Sequence, residues 1–195
     1  MSSISLATPT ASCVEDAIGV ISNELTETVR ALDPQEVAKA AGVVLGARRI
    51  YVAGAGRSGL SLRFTAMRLM HLGLSVCVVG DTTTPAIESG DVLIIASGSG
   101  TTRGMVAIGE TAKKVGAHLV VLTTDASSPL AKLADEAIIV RAAGKQQVER
   151  AASKQYAGSL FEQAVLFVGD VMFHAIWQQN QIPTDVLWRR HANLE

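Results

Sequence analysis

The sequence predicts a doubly wound α/β domain, in which helices cover both faces of a five-stranded parallel sheet. Three observations predict it. Short runs rich in β-branched residues recur along the chain, each run is apolar almost throughout, and helix-like segments separate most of them. Strands buried on both faces have this pattern, and they belong to parallel sheets. The predicted strands are Arg49–Ala53, Ser75–Val79, Asp91–Ala96, His118–Leu122 and Glu136–Val140.

Six helices are predicted around these strands. Asp33 and Pro34 supply an N-cap and a first-turn proline for the second helix. Met67 and Met70 share a helical spacing with Leu62, so we expect all three to pack in the core. The predicted helices are Val14–Leu32, Pro34–Leu45, Gly59–Leu72, Thr102–Val115, Pro129–Ala134 and a long one over Ser153–Gln179.

The composition predicts one globular domain. The chain has 195 residues, of which 48% are hydrophobic and 18% charged, with a formal net charge of −1. This excludes a disordered chain, and the low charge and few aromatic residues argue against a nucleic-acid partner. No apolar run reaches the ~20 residues that cross a bilayer, so no membrane association is expected. We expect a flexible tail over residues 1–12, unlike a signal peptide, and one domain over residues 13–195. Cys13 and Cys77 stand alone, which fits the reducing cytoplasm.

A glycine-rich turn follows the first predicted strand. Gly54-Ala-Gly-Arg-Ser-Gly59 has the GxGxxG spacing of a dinucleotide-binding loop, and Asp81 ends the second strand near the place of a ribose partner. Arg57 and Ser58, however, are a fixed cation and a hydroxyl that suit a phosphomonoester. At this turn alone, a NAD site and a phosphosugar site both remain open.

A second turn of the same kind follows the third predicted strand. Ser97-Gly-Ser-Gly-Thr-Thr102 combines glycines, which let the backbone approach a ligand, with hydroxyl donors directly before a helix. Neighbouring parallel strands present both turns at the same sheet edge, where open α/β sheets bind ligands. We therefore expect Ser58, Ser97, Ser99 and Thr102 to hold a phosphate, with Arg57 as a further ligand.

Together with Thr123-Thr-Asp-Ala-Ser-Ser-Pro-Leu130, these two turns resemble the SIS (sugar isomerase) domain family. The resemblance is closest to its 6-phospho-3-hexuloisomerase branch. It extends from about Arg49 to Gln163 and resumes at the C-terminus. The narrower resemblance depends on Ala66-Met-Arg-Leu-Met-His71, Gly80-Asp-Thr-Thr-Thr-Pro-Ala-Ile87, Gln155-Tyr-Ala-Gly-Ser-Leu-Phe-Glu-Gln163 and Arg190-His-Ala-Asn-Leu-Glu195.

The resemblance implies a three-layer α-β-α, flavodoxin-like SIS fold. It implies reversible conversion of D-arabino-3-hexulose 6-phosphate to D-fructose 6-phosphate in the ribulose monophosphate pathway of formaldehyde assimilation, without a metal or organic cofactor. It also implies a homo-oligomer, usually a tetramer built from dimers with active sites near subunit contacts. A functional pairing with 3-hexulose-6-phosphate synthase follows from the same resemblance.

Isomerisation of this kind needs a base that moves a proton between adjacent carbons through an enediol. Glu162 is the predicted base, because it stands early in the long helix and a glutamate is the proposed base at the matching position of similar isomerases. His71 is a candidate for proton transfer to oxygen or for polarising the carbonyl, and its alternative is a helix C-terminal cap. His191 would reach a neighbouring subunit's site or pack in the oligomer. Asp81 would contact sugar hydroxyls or cap its own loop.

Two other functions remain open from the sequence. One is another sugar-phosphate isomerase of the SIS type, acting on arabinose 5-phosphate. The other is a non-catalytic SIS module that senses a phosphosugar.

Overall fold

A computed structural model describes residues 6–142 and 153–194. Its sheet has five strands, all parallel, in the order β2-β1-β3-β4-β5. This confirms the predicted fold class and each predicted strand, although β2 is only three residues long. The strands are β1 (Ile50–Gly54), β2 (Val76–Val78), β3 (Val92–Ala96), β4 (His118–Thr123) and β5 (Glu136–Ile139).

The helices match the predicted pattern except at three places. The long helix begins at Ser159, so the predicted start at Ser153 is wrong. The first helix begins at Ala11, inside the predicted tail, of which residues 1–5 lie outside the described part. A short seventh helix was not predicted. The helices are α1 (Ala11–Arg30), α2 (Pro34–Gly46), α3 (Arg57–His71), α4 (Arg103–Lys114), α5 (Pro129–Leu133), α6 (Ser159–Gln179) and α7 (Thr184–Trp188).

Two apolar cores lie on the two faces of the sheet. Alternate strand residues serve each core, so that Ile50 and Val52 face one side and Tyr51 and Ala53 the other. Helices α2, α3 and α6 cover the first face, with α1 packed on α6, and α4 and α5 cover the second. This layering explains why the strands are apolar almost throughout, since both faces of each strand are buried.

Helices α3 and α6 cross closely, and one side of each is exposed. A Cβ built on Gly169 would lie 2.0 Å from Oγ1 of Thr65, so the crossing requires glycine there. Met67 is 59% exposed and Met70 37% exposed. The expectation that both methionines pack in the core is therefore wrong, because only the Leu62 side of α3 faces the sheet.

Helix α6 is long and apolar enough to cross a membrane, although charged residues interrupt its apolar sequence. Half of its apolar window is buried inside the protein, where it packs on α3 and the first core. A buried core helix of a globular domain has the same composition.

The strand order places a topological switch point between β1 and β3, since the chain leaves these neighbouring strands in opposite directions across the sheet. The loops that end β1 and β3 therefore lie side by side. Helix α3 begins at this edge and runs back along the sheet, so its last residues lie at the opposite edge.

Candidate active site at the carboxyl edge of the sheet

The loop after β1 brings the strand end and the start of α3 into contact. A Cβ on Gly59 would lie 2.3 Å from the carbonyl oxygen of Gly54, so a side chain there would displace backbone. Gly56 has a φ of 58° and precedes α3 without a side-chain cap. The first N–H groups of α3 are therefore not capped by the protein's own side chains, and they can bind an anion. The hydroxyl of Ser58 is buried in this turn.

The loop after β3 forms a second uncapped helix start. Thr102 precedes α4 without capping it, and its Oγ1 lies 3.1 Å from Oγ of the buried Ser97. Ser99 accepts a hydrogen bond from the Thr101 N–H at 3.3 Å. Gly100 has a φ of 60°, a conformation that favours glycine. The three predicted hydroxyls thus share one loop, as a phosphate site requires.

A third loop, Thr123–Ser128, supports the second one. The hydroxyls of Thr123 and Thr124 both donate to the carbonyl oxygen of Gly98, at 3.1 and 2.8 Å. Ser128 caps α5 and packs so closely against Gly100 that a Cβ there would lie 2.1 Å from its Oγ. Hydrogen bonds from Ser127 hold the pKa of Asp125 below its ordinary value. This loop therefore fixes the shape of the loop after β3.

Glu162 lies in the first turn of α6, directly beside the β1 loop. Its side chain is only 6% exposed, and its Oε2 lies 3.0 Å from Nη1 of Arg57. The same guanidinium nitrogen donates to Oγ of Ser159 at 3.0 Å, and Ser61 donates to the backbone carbonyl of Glu162 at 2.7 Å. The second loop is equally near, because a Cβ on Gly98 would lie 3.2 Å from the ring of Phe161.

The starts of α3, α4 and α6 therefore meet at one place. None of the three has a side-chain cap, and each helix start has a partial positive charge. Arg57 adds a full positive charge. The arrangement suits a dianionic phosphate with a buried carboxylate beside it, which is a binding group next to a base.

Asp81 lies at the β2 side of this edge, in an ion pair with Arg63 at 2.7 Å. Its backbone carbonyl accepts from the N–H of Thr84, which closes a turn. A cavity of about 120 Å³ lies between Arg63, Val78 and the β1 loop. Both expectations for Asp81 are compatible with this position, so its contact with sugar hydroxyls stays a prediction.

His71 does not share a site with Glu162 within one chain. It ends α3, roughly 20 Å along the helix from Ser58 at 1.5 Å per residue. Its ring is buried and stacked on His191 at 4.4 Å between centroids, and its carbonyl accepts from Arg190. Burial, with the charges of His191 and Arg68, lowers the pKa of His71. Within one chain the pair holds the C-terminal segment, and a catalytic role for either histidine requires another subunit's site.

Comparison with known proteins identifies the family. The SIS domain model matches residues 44–167. The chain belongs to the SIS domain family. It is 50% identical over 182 residues to the 3-hexulose-6-phosphate isomerase of Mycobacterium gastri, covering 93% of this chain and 92% of that one. It is 34% identical over 181 residues to the enzyme of the same name from Bacillus subtilis, covering 91% and 97%.

A solved structure agrees with this assignment. A Methanococcus jannaschii protein, for which a 3-hexulose-6-phosphate isomerase function was inferred, superposes with a TM-score of 0.78 at 27% identity. The match covers 92% of this chain and 99% of that one. Membership of the SIS family favours the phosphosugar interpretation of the β1 loop over the dinucleotide one.

Two further serines contact Arg57 and Glu162, and neither was predicted as a site residue. Ser159 accepts from Arg57, and Ser61 holds the backbone of Glu162. Ser159 follows Gly158 at the start of α6, and a serine at a helix start can be found from sequence. The predicted start at Ser153 placed Ser159 inside the helix instead. Among the described residues, no group of three or more His, Cys, Asp or Glu side chains is placed to hold a metal ion.

Proposed function

We propose that this SIS domain is a 3-hexulose-6-phosphate isomerase, which interconverts D-arabino-3-hexulose 6-phosphate and D-fructose 6-phosphate. The observation that carries the proposal is the 50% identity, over nearly the whole chain, to the Mycobacterium gastri enzyme. The geometry supports it independently, because a buried glutamate lies beside two uncapped helix starts that suit a phosphate.

The phosphate binds at the loops after β1 and β3. Ser97, Ser99 and Thr102 donate hydroxyl hydrogen bonds to its oxygens, and the starts of α3 and α4 supply backbone N–H groups. Ser58 contributes from the β1 loop, and Arg57 attracts the dianion from its exposed position beside Glu162. Fixing the phosphate at the sheet edge holds the sugar carbons against α6.

Glu162 carries the proton transfer. Its carboxylate removes the proton from C2, and the C–H electron pair forms a C2=C3 double bond while the C3 carbonyl oxygen takes a proton from water, giving the enediol. The hydroxyl on C2 then returns a proton to water and becomes the new carbonyl, and the double-bond pair takes the proton back from Glu162 at C3. The guanidinium of Arg57 lies 3.0 Å from the buried carboxylate, so the two side chains form an ion pair before substrate arrives.

The proposal includes an oligomeric state. We propose a homotetramer, a dimer of dimers, in which His71 and His191 of one subunit approach the site of another. The exposed apolar face of α3 and α6 supports it, since single domains rarely expose such patches. This face consists of Leu60, Phe64, Met67, Phe167 and Val171.

The cellular setting is part of the same proposal. The enzyme works in the cytoplasm, with which the free thiols of Cys13 and Cys77 are compatible. Its substrate is the product of a 3-hexulose-6-phosphate synthase, so the two enzymes act in sequence in the ribulose monophosphate pathway.

A coupled assay tests the activity. The purified protein is given D-arabino-3-hexulose 6-phosphate, made in place from formaldehyde and ribulose 5-phosphate by a synthase, and fructose 6-phosphate is followed. We expect rapid formation by the wild type and a fall of about 100-fold or more in kcat for Glu162→Gln, which removes the base and keeps the shape.

Two results would contradict the proposal. No product from the wild type, with phosphosugar binding intact, would indicate a sensing module or an enzyme for another sugar phosphate, such as arabinose 5-phosphate. Normal turnover by Glu162→Gln would remove Glu162 from the mechanism.

A further inference from the structure

One carboxylate of α1 holds the segment that leads into the catalytic helix. Glu24 accepts three hydrogen bonds: from the Ser153 hydroxyl at 2.7 Å, the Lys154 N–H at 2.6 Å and the Gln155 amide at 3.0 Å. Burial alone would raise its pKa, but these hydrogen bonds outweigh burial and hold the pKa of Glu24 below its ordinary value. The carboxylate is therefore an ionised anchor more than 120 residues away in sequence from the segment it holds.

Two routes lead from this anchor to Glu162. The first is the chain itself, which turns through Tyr156 and Gly158 into α6, where the Glu162 N–H donates to the Gly158 carbonyl at 3.0 Å. The second is a side-chain bridge, because Gln155 also accepts a hydrogen bond at 2.8 Å from Gln163, the neighbour of Glu162.

The turn between them needs such support. Ala157 has a φ of 49°, a left-handed conformation that is unfavourable for a residue with a Cβ. A strained backbone of this kind persists only where its surroundings fix it. Hydrogen bonds on both sides of Ala157 fix it here, at Ser153–Gln155 before it and at Gln163 after it.

We propose that Glu24 is a positioning residue for the isomerase reaction, which sets the place of Glu162 by anchoring Ser153–Gln155. This inference rests on the proposed function. It gives the N-terminal helix a part in catalysis without contact to substrate. A base displaced by about 1 Å can lose up to 100-fold in rate, so an anchor of this kind affects turnover more than binding.

The test compares Glu24→Gln with Glu27→Gln. Glutamine keeps the shape of Glu24 but offers one acceptor oxygen, and its amide nitrogen faces a donor. Glu27, exposed on the same helix, is the matched control for the lost charge. We expect Glu24→Gln to lower kcat by roughly 10-fold to 100-fold with KM within about threefold, because the phosphate loops are intact. Glu24→Asp, which keeps the charge, should regain part of kcat.

A second measurement does not depend on activity. Hydrogen–deuterium exchange should speed up in peptides covering residues 153–161 of Glu24→Gln, and stay unchanged at β1 and in Glu27→Gln. If the Glu24 variant does not fold, Gln155→Ala removes the bridge to Gln163 and one of the three hydrogen bonds to Glu24, and it should lower kcat in the same way.

Each outcome supports or overturns the inference. Unchanged kcat in Glu24→Gln, an equal loss in Glu27→Gln, or unchanged exchange at residues 153–161 would overturn it. A wild type without isomerase activity would refute the proposed function, and the exchange experiment alone would then decide whether Glu24 anchors the start of α6.

Discussion

The ion pair of Glu162 with Arg57 joins the predicted base to a cation. The carboxylate is almost fully buried, whereas the guanidinium is more than half exposed. The exposed side of the guanidinium is therefore within reach of an incoming anion, while the carboxylate is shielded from solvent. We propose that the serine loops beside it bind the phosphate, so substitutions in the loops should change binding and substitution of Glu162 should change turnover.

The serine loop gives the residue-scale prediction. Ser97→Ala combined with Ser99→Ala should raise KM or Kd for the phosphosugar by about 100-fold, because each hydroxyl bonded to a charged group contributes about 1.5–3 kcal/mol and part is recovered by water. Calorimetric titration with fructose 6-phosphate measures it. Ser89→Ala is the control, since Ser89 is an exposed serine of the loop before β3, at the opposite edge of the sheet. Unchanged affinity in the double variant would refute the phosphate site.

The site could be predicted from sequence only where its residues lie in local motifs. Two glycine-rich turns, each directly before a helix, contain the predicted phosphate ligands Ser58, Ser97, Ser99 and Thr102. Glu162 lies in the segment 155–163, which resembles the family. The pairing of Arg57 with Glu162 joins residues 105 positions apart, and no local pattern records such a contact. The anchor at Glu24 was missed for the same reason.

Helix α3 links the two edges of the sheet. Its first turn lies at the proposed phosphate site, and its last residue, His71, stacks on His191. The exposed methionines show the limit of periodicity at this scale. Their spacing predicts that they share a face of the helix with one another, but it does not determine whether that face meets the sheet or the outside.

The lowered pKa of His71 gives the element-scale prediction. Because folding disfavours its protonation, the unfolded chain binds more protons below its ordinary pKa of about 6.5. Stability is therefore full above that pH and is lost as the pH falls towards the lowered pKa, by at most about 1.4 kcal/mol per pH unit for one proton.

Urea unfolding at pH 7.5 and pH 5.5 checks this dependence. His71→Asn should reduce the difference in stability between the two pH values, and Gln178→Asn, at an exposed position of α6 without a titratable group, should leave it unchanged. An equal pH dependence in wild type and His71→Asn would show that His71 does not titrate with unfolding.

The fold class and the strands could be predicted from the order and the apolar character of the strand segments. Strands buried on both faces leave an unmistakable pattern, and right-handed crossovers then restrict the topology. The short α7 and the start of α6 did not follow, because their placement depends on tertiary contacts such as Trp177 with the Ile182 carbonyl and Glu24 with Lys154.

The apolar face of α3 gives the prediction for the whole molecule. Phe64→Glu combined with Met67→Glu should reduce the solution mass from the tetramer to a smaller species, since two charges would be buried at a contact. Analytical ultracentrifugation measures the mass, and circular dichroism checks the fold. Val115→Glu, directly after the end of α4, is the control at an exposed position elsewhere. An unchanged mass would place the contact on another surface.

The separation of His71 from Glu162 within one chain has a consequence for inheritance. If one subunit's His71 completes the site that contains its neighbour's Glu162, each chain contributes to two sites, and a chain altered at one of these residues is complemented by a chain altered only at the other. Two inactive alleles, one altered at Glu162 and one at His71, would then restore growth together in one cell. In a symmetric pair assembled at random, about a quarter of the sites would contain both intact residues.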